Sequence, residues 1–175
     1  DITSYADLTG DTKPRDHQGA GTTYYKNDTG RNDIKELRIA ADSDNVWFMI
    51  ATEGDITQKA AEDTRWMNLW IGLEGAEGGW NNLRYVINRE LDGTKSSIDR
   101  ISDKTFEKAG DAETYVSGNI MIVKVAKSAL GITEKSFGLQ VKVTDNLQKD
   151  FDVTDLYTNG DCAPLGRINY SWYVK

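Results

Sequence analysis

The sequence predicts an all-β chain, an antiparallel β-sandwich of jelly-roll-like kind with long N-terminal and C-terminal loops. Three observations carry that expectation. The acidity is made of Asp: 19 of 28 acidic residues, a residue type that turns and caps where Glu would extend helices. Turn formers recur throughout, with 16 Gly, 16 Thr and 11 Asn. Between them lie short runs of alternating apolar and polar residues with no long helical period. A chain of 175 residues is long enough to bury one sizeable core, so residues 1–175 are read as a single domain. It opens on Asp1, and the expectation is a domain excised from a larger secreted protein.

Residues 1–33 carry turn chemistry without sustained periodicity. Leu37, Ile39 and Ala41 then alternate with polar neighbours, and Asp42-Ser43-Asp44-Asn45 reads as a hairpin turn into the apolar run Val46 to Ala51. Residues 55–63 form a polar connection, 66–73 a strand, 75–82 a Gly-rich loop and 83–90 a strand, followed by polar sequence to about Ala112. Thr114 to Val116 turns at Ser117-Gly118-Asn119 into a strand over 120–125. Lys127 to Gly131 reads as one helical turn ended by glycine. Phe137, Leu139, Val141 and Val143 mark the clearest half-buried strand. The tail from Asp145 is an Asp-rich loop that closes through Pro164 into a last strand over 168–174.

Several functions are disfavoured. A net charge of −7 without a basic block argues against nucleic acid, whose phosphates need clustered Lys and Arg. No apolar run approaches the ~20 residues that span a bilayer, so no membrane insertion is expected. Cys162 is alone, which removes disulfide frameworks and cysteine zinc sites. No catalytic motif is present, His17 is the only histidine, and Glu74 and Glu77 read as solvated loop charges. No enzyme activity and no catalytic cofactor are expected.

The tryptophans are more informative. Along 66–73, Met67, Leu69, Ile71 and Leu73 form one core face, which leaves Trp66, Asn68 and Trp70 on the other. The same alternation turns Trp47 outward, and then Arg84, Val86 and Asn88. If these strands are neighbours, one outer face carries three Trp, two amides and an Arg. Flat rings stack on the apolar face of a pyranose while amides and Arg bond its hydroxyls or a uronic acid carboxylate. Trp66, Trp70, Asn68, Arg84 and Asn88, with Trp80 as a loop wall, are therefore the candidate carbohydrate-binding residues. Two other readings stay open: residues 1–33 or the tail cover this face as a second core layer, or a neighbouring domain docks on it. The acidic loops, with Asp28, Asp33, Asp42, Asp44 and Asp145, are explained by turn formation, with a structural calcium as the second reading.

At these blocks the chain resembles the carbohydrate-binding-module family nine and DOMON-like group of β-sandwich domains. The residues that carry the resemblance are Asp44 to Ile50, Trp66 to Leu73, Ile122 to Gly131 and Phe137 to Asn146. Such domains are typically appended to secreted bacterial glycan-degrading enzymes, bind sugars and often hold structural calcium. The resemblance implies an extracellular, non-catalytic carbohydrate-binding module whose partner is a glycan, with a covalently linked catalytic domain. This chain has Gly72 where the family has an Asp.

Overall fold

Alternating apolar residues dictate strands, and the computed structural model, which describes residues 1–175, is almost entirely β. The strands are β1 (Thr3–Ala6), β2 (Arg15–Gln18), β3 (Tyr24–Asn27), β4 (Ile34–Ala41), β5 (Asn45–Thr52), β6 (Asn68–Leu73) and β7 (Tyr85–Asp92). They continue as β8 (Lys95–Ser102), β9 (Thr105–Ser117), β10 (Ile120–Ala126), β11 (Phe137–Asp145), β12 (Asp161–Ala163) and β13 (Tyr170–Val174). A 3-10 turn, Lys127–Leu130, ends on the left-handed Gly131, as the sequence predicts. One short helix, α1 (Asp155–Thr158), interrupts the tail.

Eleven strands form one antiparallel sheet in the order β1-β4-β5-β10-β9-β8-β7-β6-β11-β12, with β13 also pairing β11; β2 and β3 make a separate hairpin. One face of almost every strand feeds a single core: Leu37, Ile39, Val46, Phe48 and Ile50 on one side, Leu69, Ile71, Leu139, Val141 and Val143 on the other. Two stretches expected to lack regular structure are paired. Residues 1–33 contain three strands, and the polar stretch before Ala112 contains β8 and most of β9. Their polarity hid them because the buried polar groups are bonded. Ser96 Oγ donates to Asn88 Oδ1 at 2.7 Å and Ser97 Oγ to Asp99 at 2.8 Å.

The sheet curls around its core. Bulges interrupt the register of β7 with β8 between Ile87 and Leu91, and of β8 with β9 at Ile98 and Asp99, and bulges bend and twist a sheet. The curl brings its two ends together at a seam that side chains close. Tyr5 Oη donates to the Ser171 carbonyl at 2.7 Å, Trp172 Nε1 to Thr3 Oγ1 at 3.1 Å, and the Ile34 N–H to Asp161 Oδ2 at 2.7 Å.

Asp145, fully buried at the end of β11, fixes the surrounding loops. Arg31 grips its carboxylate with Nε and Nη2 at 2.9 and 2.8 Å, and the Met67 N–H donates at 2.9 Å. Asn32 adds its backbone N–H at 3.3 Å and Nδ2 at 3.0 Å. Arg31 Nη1 also reaches Asp63 at 2.6 Å. Burial opposes the Arg31 charge, but the two carboxylates outweigh it and hold its pKa above the ordinary value. Gly160 has φ +54°, and a Cβ there would lie 1.9 Å from the Asp145 carbonyl oxygen. Only glycine lets the tail pass that close.

Replacing Asp145 with Ala leaves the Asn32 and Met67 donors without their acceptor and Arg31 with Asp63 alone, and should cost about 3 kcal/mol in urea unfolding. Arg31→Met leaves the fully buried carboxylate without its counter-charge and should cost at least as much.

Candidate functional site

The expected outer platform is not an open surface. The Met67 φ of +40° breaks the alternation that a continuous strand would impose, so β6 begins at Asn68. Trp66 turns to the same main core as Met67, is 2% exposed, and donates Nε1 to the Thr57 carbonyl at 2.7 Å. Trp70 does lie on the outer face, yet it is 3% exposed. Leu83, Val86 and Ile101 pack beside it, and Trp80, Phe106 and the tail residue Phe151 cover it. Its Nε1 donates to Thr144 Oγ1 at 2.8 Å. The tail-covered second core is therefore what the fold builds.

The amides share that fate. Asn68 is buried and donates to the Ile87 carbonyl at 3.3 Å. Asn88 has φ +75°, which turns it inward. There it donates to the Met67 carbonyl at 2.9 Å and accepts from Ser96 and Thr114, each at 2.7 Å. Trp80 is a half-buried plug, its ring 5.6 Å from that of Trp70 and edge-on to Phe151. Gly72 has no room for a side chain, since a Cβ would lie 1.8 Å from the Asn82 carbonyl oxygen.

Of the predicted set, Arg84 lines one open cleft and Trp66 lies under another. Arg100 and Lys104 share the first with Glu77, Ser102 and Asp103, in a volume of ≈ 770 Å³. A second cleft, ≈ 540 Å³, lies over the 56–61 loop and the β7–β8 turn. Its lining includes Ile56, Trp66 and Leu91 with Thr57, Gln58, Lys59, Thr94 and Thr114, and the exposed ring of Tyr115 stands in its wall. Tyr115 Oη donates to Glu113, and Lys124 holds the same carboxylate at 2.8 Å. Tyr115, a lone Tyr at the end of a polar stretch, carries no sequence pattern that marks it.

The acidic residues also regroup. Asp145 is filled by N–H donors, so it has no free oxygen for a metal. Asp42 caps its hairpin: it accepts from Trp47 Nε1 at 2.7 Å and from the Asp44 and Asn45 N–H groups at 2.8 and 2.7 Å. Those bonds, the Trp47 one first, hold its pKa down at about 2. Asp44 accepts from Ser43 Oγ at 2.7 Å, and Asp28 is exposed. None of these four belongs to a cluster of ligand atoms.

Asp7, Asp11 and Asp161 do, with ligand oxygens within 4.8 Å of one another, at the seam where β1 and β4 meet β12. Asp161 is 3% exposed. Burial, then the charges of Asp11, Asp7 and Asp33, push its pKa up to about 8 against the opposing Ile34 N–H bond. Burial and Asp11 raise Asp7 to about 6. Asp33, one of the residues expected to bind calcium, stands beside this group and accepts the Gly10 N–H at 2.7 Å. The cluster draws on residues more than a hundred positions apart with no fixed ligand spacing, which is why the sequence concealed it.

Cys162 and His17 stand apart from both clefts. Cys162 is buried, its thiol donating to the Leu156 carbonyl at 3.0 Å, and burial pushes its pKa up to about 11. The thiolate, the nucleophilic form, is therefore suppressed. His17 is exposed on β2 with Nδ1 3.2 Å from the Gln18 carbonyl oxygen. No protein-family model, curated protein or solved structure matches the chain. No helix is long and apolar enough to cross a membrane.

Lys142, fully buried on β11, donates to the Pro164 carbonyl at 2.5 Å, and burial lowers its pKa to about 8. The unfolded chain then binds more protons between pH 8 and the ordinary lysine value, so stability rises with pH across that window. The penalty is complete below pH 8 and amounts to about 3 kcal/mol. Lys142→Met should be more stable than the native chain at pH 7, and urea unfolding should find that advantage shrinking by about this amount toward pH 10.5.

Proposed function

We propose that the chain is a non-catalytic, extracellular carbohydrate-binding module, with its sugar seat in the cleft walled by Tyr115. The observation that carries this reading is the make-up of that cleft. An exposed aromatic ring, held by its bond to Glu113, faces a floor of Ile56, Trp66 and Leu91 and a rim of hydroxyl, amide and ammonium groups. Ligand cavities are typically ~300–1,000 Å³, mostly apolar, with a few polar groups that fix orientation. A pyranose needs that pairing: an apolar C–H face against a ring, and hydroxyls against Thr57, Gln58, Lys59 or Thr94. Trp66 keeps a part in the site from beneath, as packing under the cleft instead of a stacking platform.

Kinship with family-nine and DOMON-like modules, and an appended catalytic domain, belong to the same proposal. An acidic sugar would have a second seat at Arg84, where Arg84, Arg100 and Lys104 converge in a chain of charge −7.

A glycan array on the whole chain tests the reading, followed by titration of whichever glycan is retained. Tyr115→Ala should weaken binding at least tenfold, about 1.4 kcal/mol, with an unchanged circular dichroism spectrum, because the ring is 44% exposed. Retention that survives Tyr115→Ala but is lost in Arg84→Ala moves the site to the cationic cleft. Silence across neutral and acidic glycans overturns carbohydrate binding.

A further inference from the structure

The seam where the ends of the sheet meet carries more negative charge than the fold can use. Asp7, Asp11 and Asp161 bring three ligand oxygens within 4.8 Å of one another, and Asp33 adds a fourth carboxylate whose field reaches Asp11 and Asp161. Like charges packed this closely in a partly desolvated place are costly unless something neutralises them.

A second observation concerns individual atoms. Asp7 Oδ2, Asp11 Oδ1 and Asp33 Oδ1 are shut off from solvent and accept no hydrogen bond. Buried carboxylate oxygens are ordinarily bonded, and each exception needs a partner outside the usual inventory. Asp161, almost wholly buried, places Oδ2 on the Ile34 N–H and leaves its other oxygen free for the cluster. Lys142 and Arg15 lend their charge to Asp7 and Asp11, but neither bonds an oxygen of the cluster: Lys142 is committed to the Pro164 carbonyl, and Arg15 leaves its buried Nε without any partner.

The donor type identifies the missing partner. Calcium takes its six to eight ligands from carboxylates, carbonyls and water in a flexible geometry, whereas magnesium demands a near-ideal octahedron and keeps several waters. No imidazole belongs to the group, and the Cys162 thiol next to Asp161 is turned to Leu156 and the Gly166 N–H, so softer metals gain nothing there.

We propose that Asp7, Asp11 and Asp161 bind one divalent cation, calcium in preference to magnesium or zinc, with the Asp33 carboxylate beside them, and that the ion closes the seam of the sheet. It ties the loop after β1 to the start of β12. None of its ligands lines the Tyr115 cleft, so the site stands whether or not that cleft binds sugar.

The test uses the whole chain stripped with EDTA, titrated calorimetrically with calcium, magnesium or zinc chloride and melted with and without each ion. Calcium should bind one ion per chain, at least tenfold tighter than magnesium or zinc. It should raise the melting temperature by about 5–10 °C at a hundredfold excess over Kd. Asp11→Asn removes one charge from a loop residue, so in EDTA it should melt no lower than the native chain. It should nonetheless lose at least tenfold in calcium affinity and most of the shift. Asp161→Asn should behave alike, and Asp28→Asn, on an exposed loop, should keep the full response. The proposal is overturned if no ion produces heat or a shift, or if both cluster variants keep the calcium response. Tighter binding of magnesium or zinc overturns the assignment of the ion.

Discussion

One buried carboxylate decides how the loops of this sheet are laid down. Asp145 stands at the end of β11, where the strand would otherwise leave the protein, and it accepts five hydrogen bonds from Arg31, Asn32 and Met67. Those donors come from the approach to β4 and the bend before β6. A single side chain thus fixes where the first long loop ends, where β6 begins and where the tail departs. An ionised carboxylate inside a protein is tolerable only with such a donor set, and the guanidinium fork meets it with matching geometry. Asn146 extends the arrangement by donating to the Thr29 carbonyl at 2.8 Å.

The same logic builds a second layer on the outer face of β6 and β11. Trp70, Lys142 and Thr144 point away from the main core, and in a plain sandwich they would meet water. Here the tail returns over them, bringing Phe151, Leu156 and Pro164. Trp70 finds Thr144 for its N–H and Lys142 finds a carbonyl, so the layer stays satisfied although it is partly polar. Closing this face displaces the open surface elsewhere, to the cleft walled by Tyr115 and the one lined by Arg84.

The strands that alternate cleanly were legible in the sequence: β4, β5, β10 and β11, with Leu37, Ile39, Val46, Phe48, Ile50, Val141 and Val143 all facing the core. Of the strands that were not, β8 buries two serines and an aspartate that bond or pair across the sheet to β7, and periodicity of apolar residues cannot register those. The candidate site failed for a local reason. Alternation holds only while φ stays extended, and Met67 and Asn88 adopt positive φ, which turns Trp66 and Asn88 inward. Trp70 obeyed the alternation and was still covered, because coverage is set by a tail eighty residues further on. The acidic group at the seam is assembled from both ends of the chain, so no window of sequence contains it.

The division into two layers also sorts the tryptophans. Trp66 and Trp172 sit in the main core, Trp70 and Trp80 lie 5.6 Å apart beneath the tail, and Trp47 stands on the rim of its hairpin beside Lys124. The Trp70–Trp80 pair is close enough for its excited states to couple. Detachment of the tail would remove Phe151 from that pair and hydrate it, while Trp66 and Trp172 stay in the main core. The chain therefore carries an optical report on whether the outer layer is docked, distinct from the report on whether the sheet is folded.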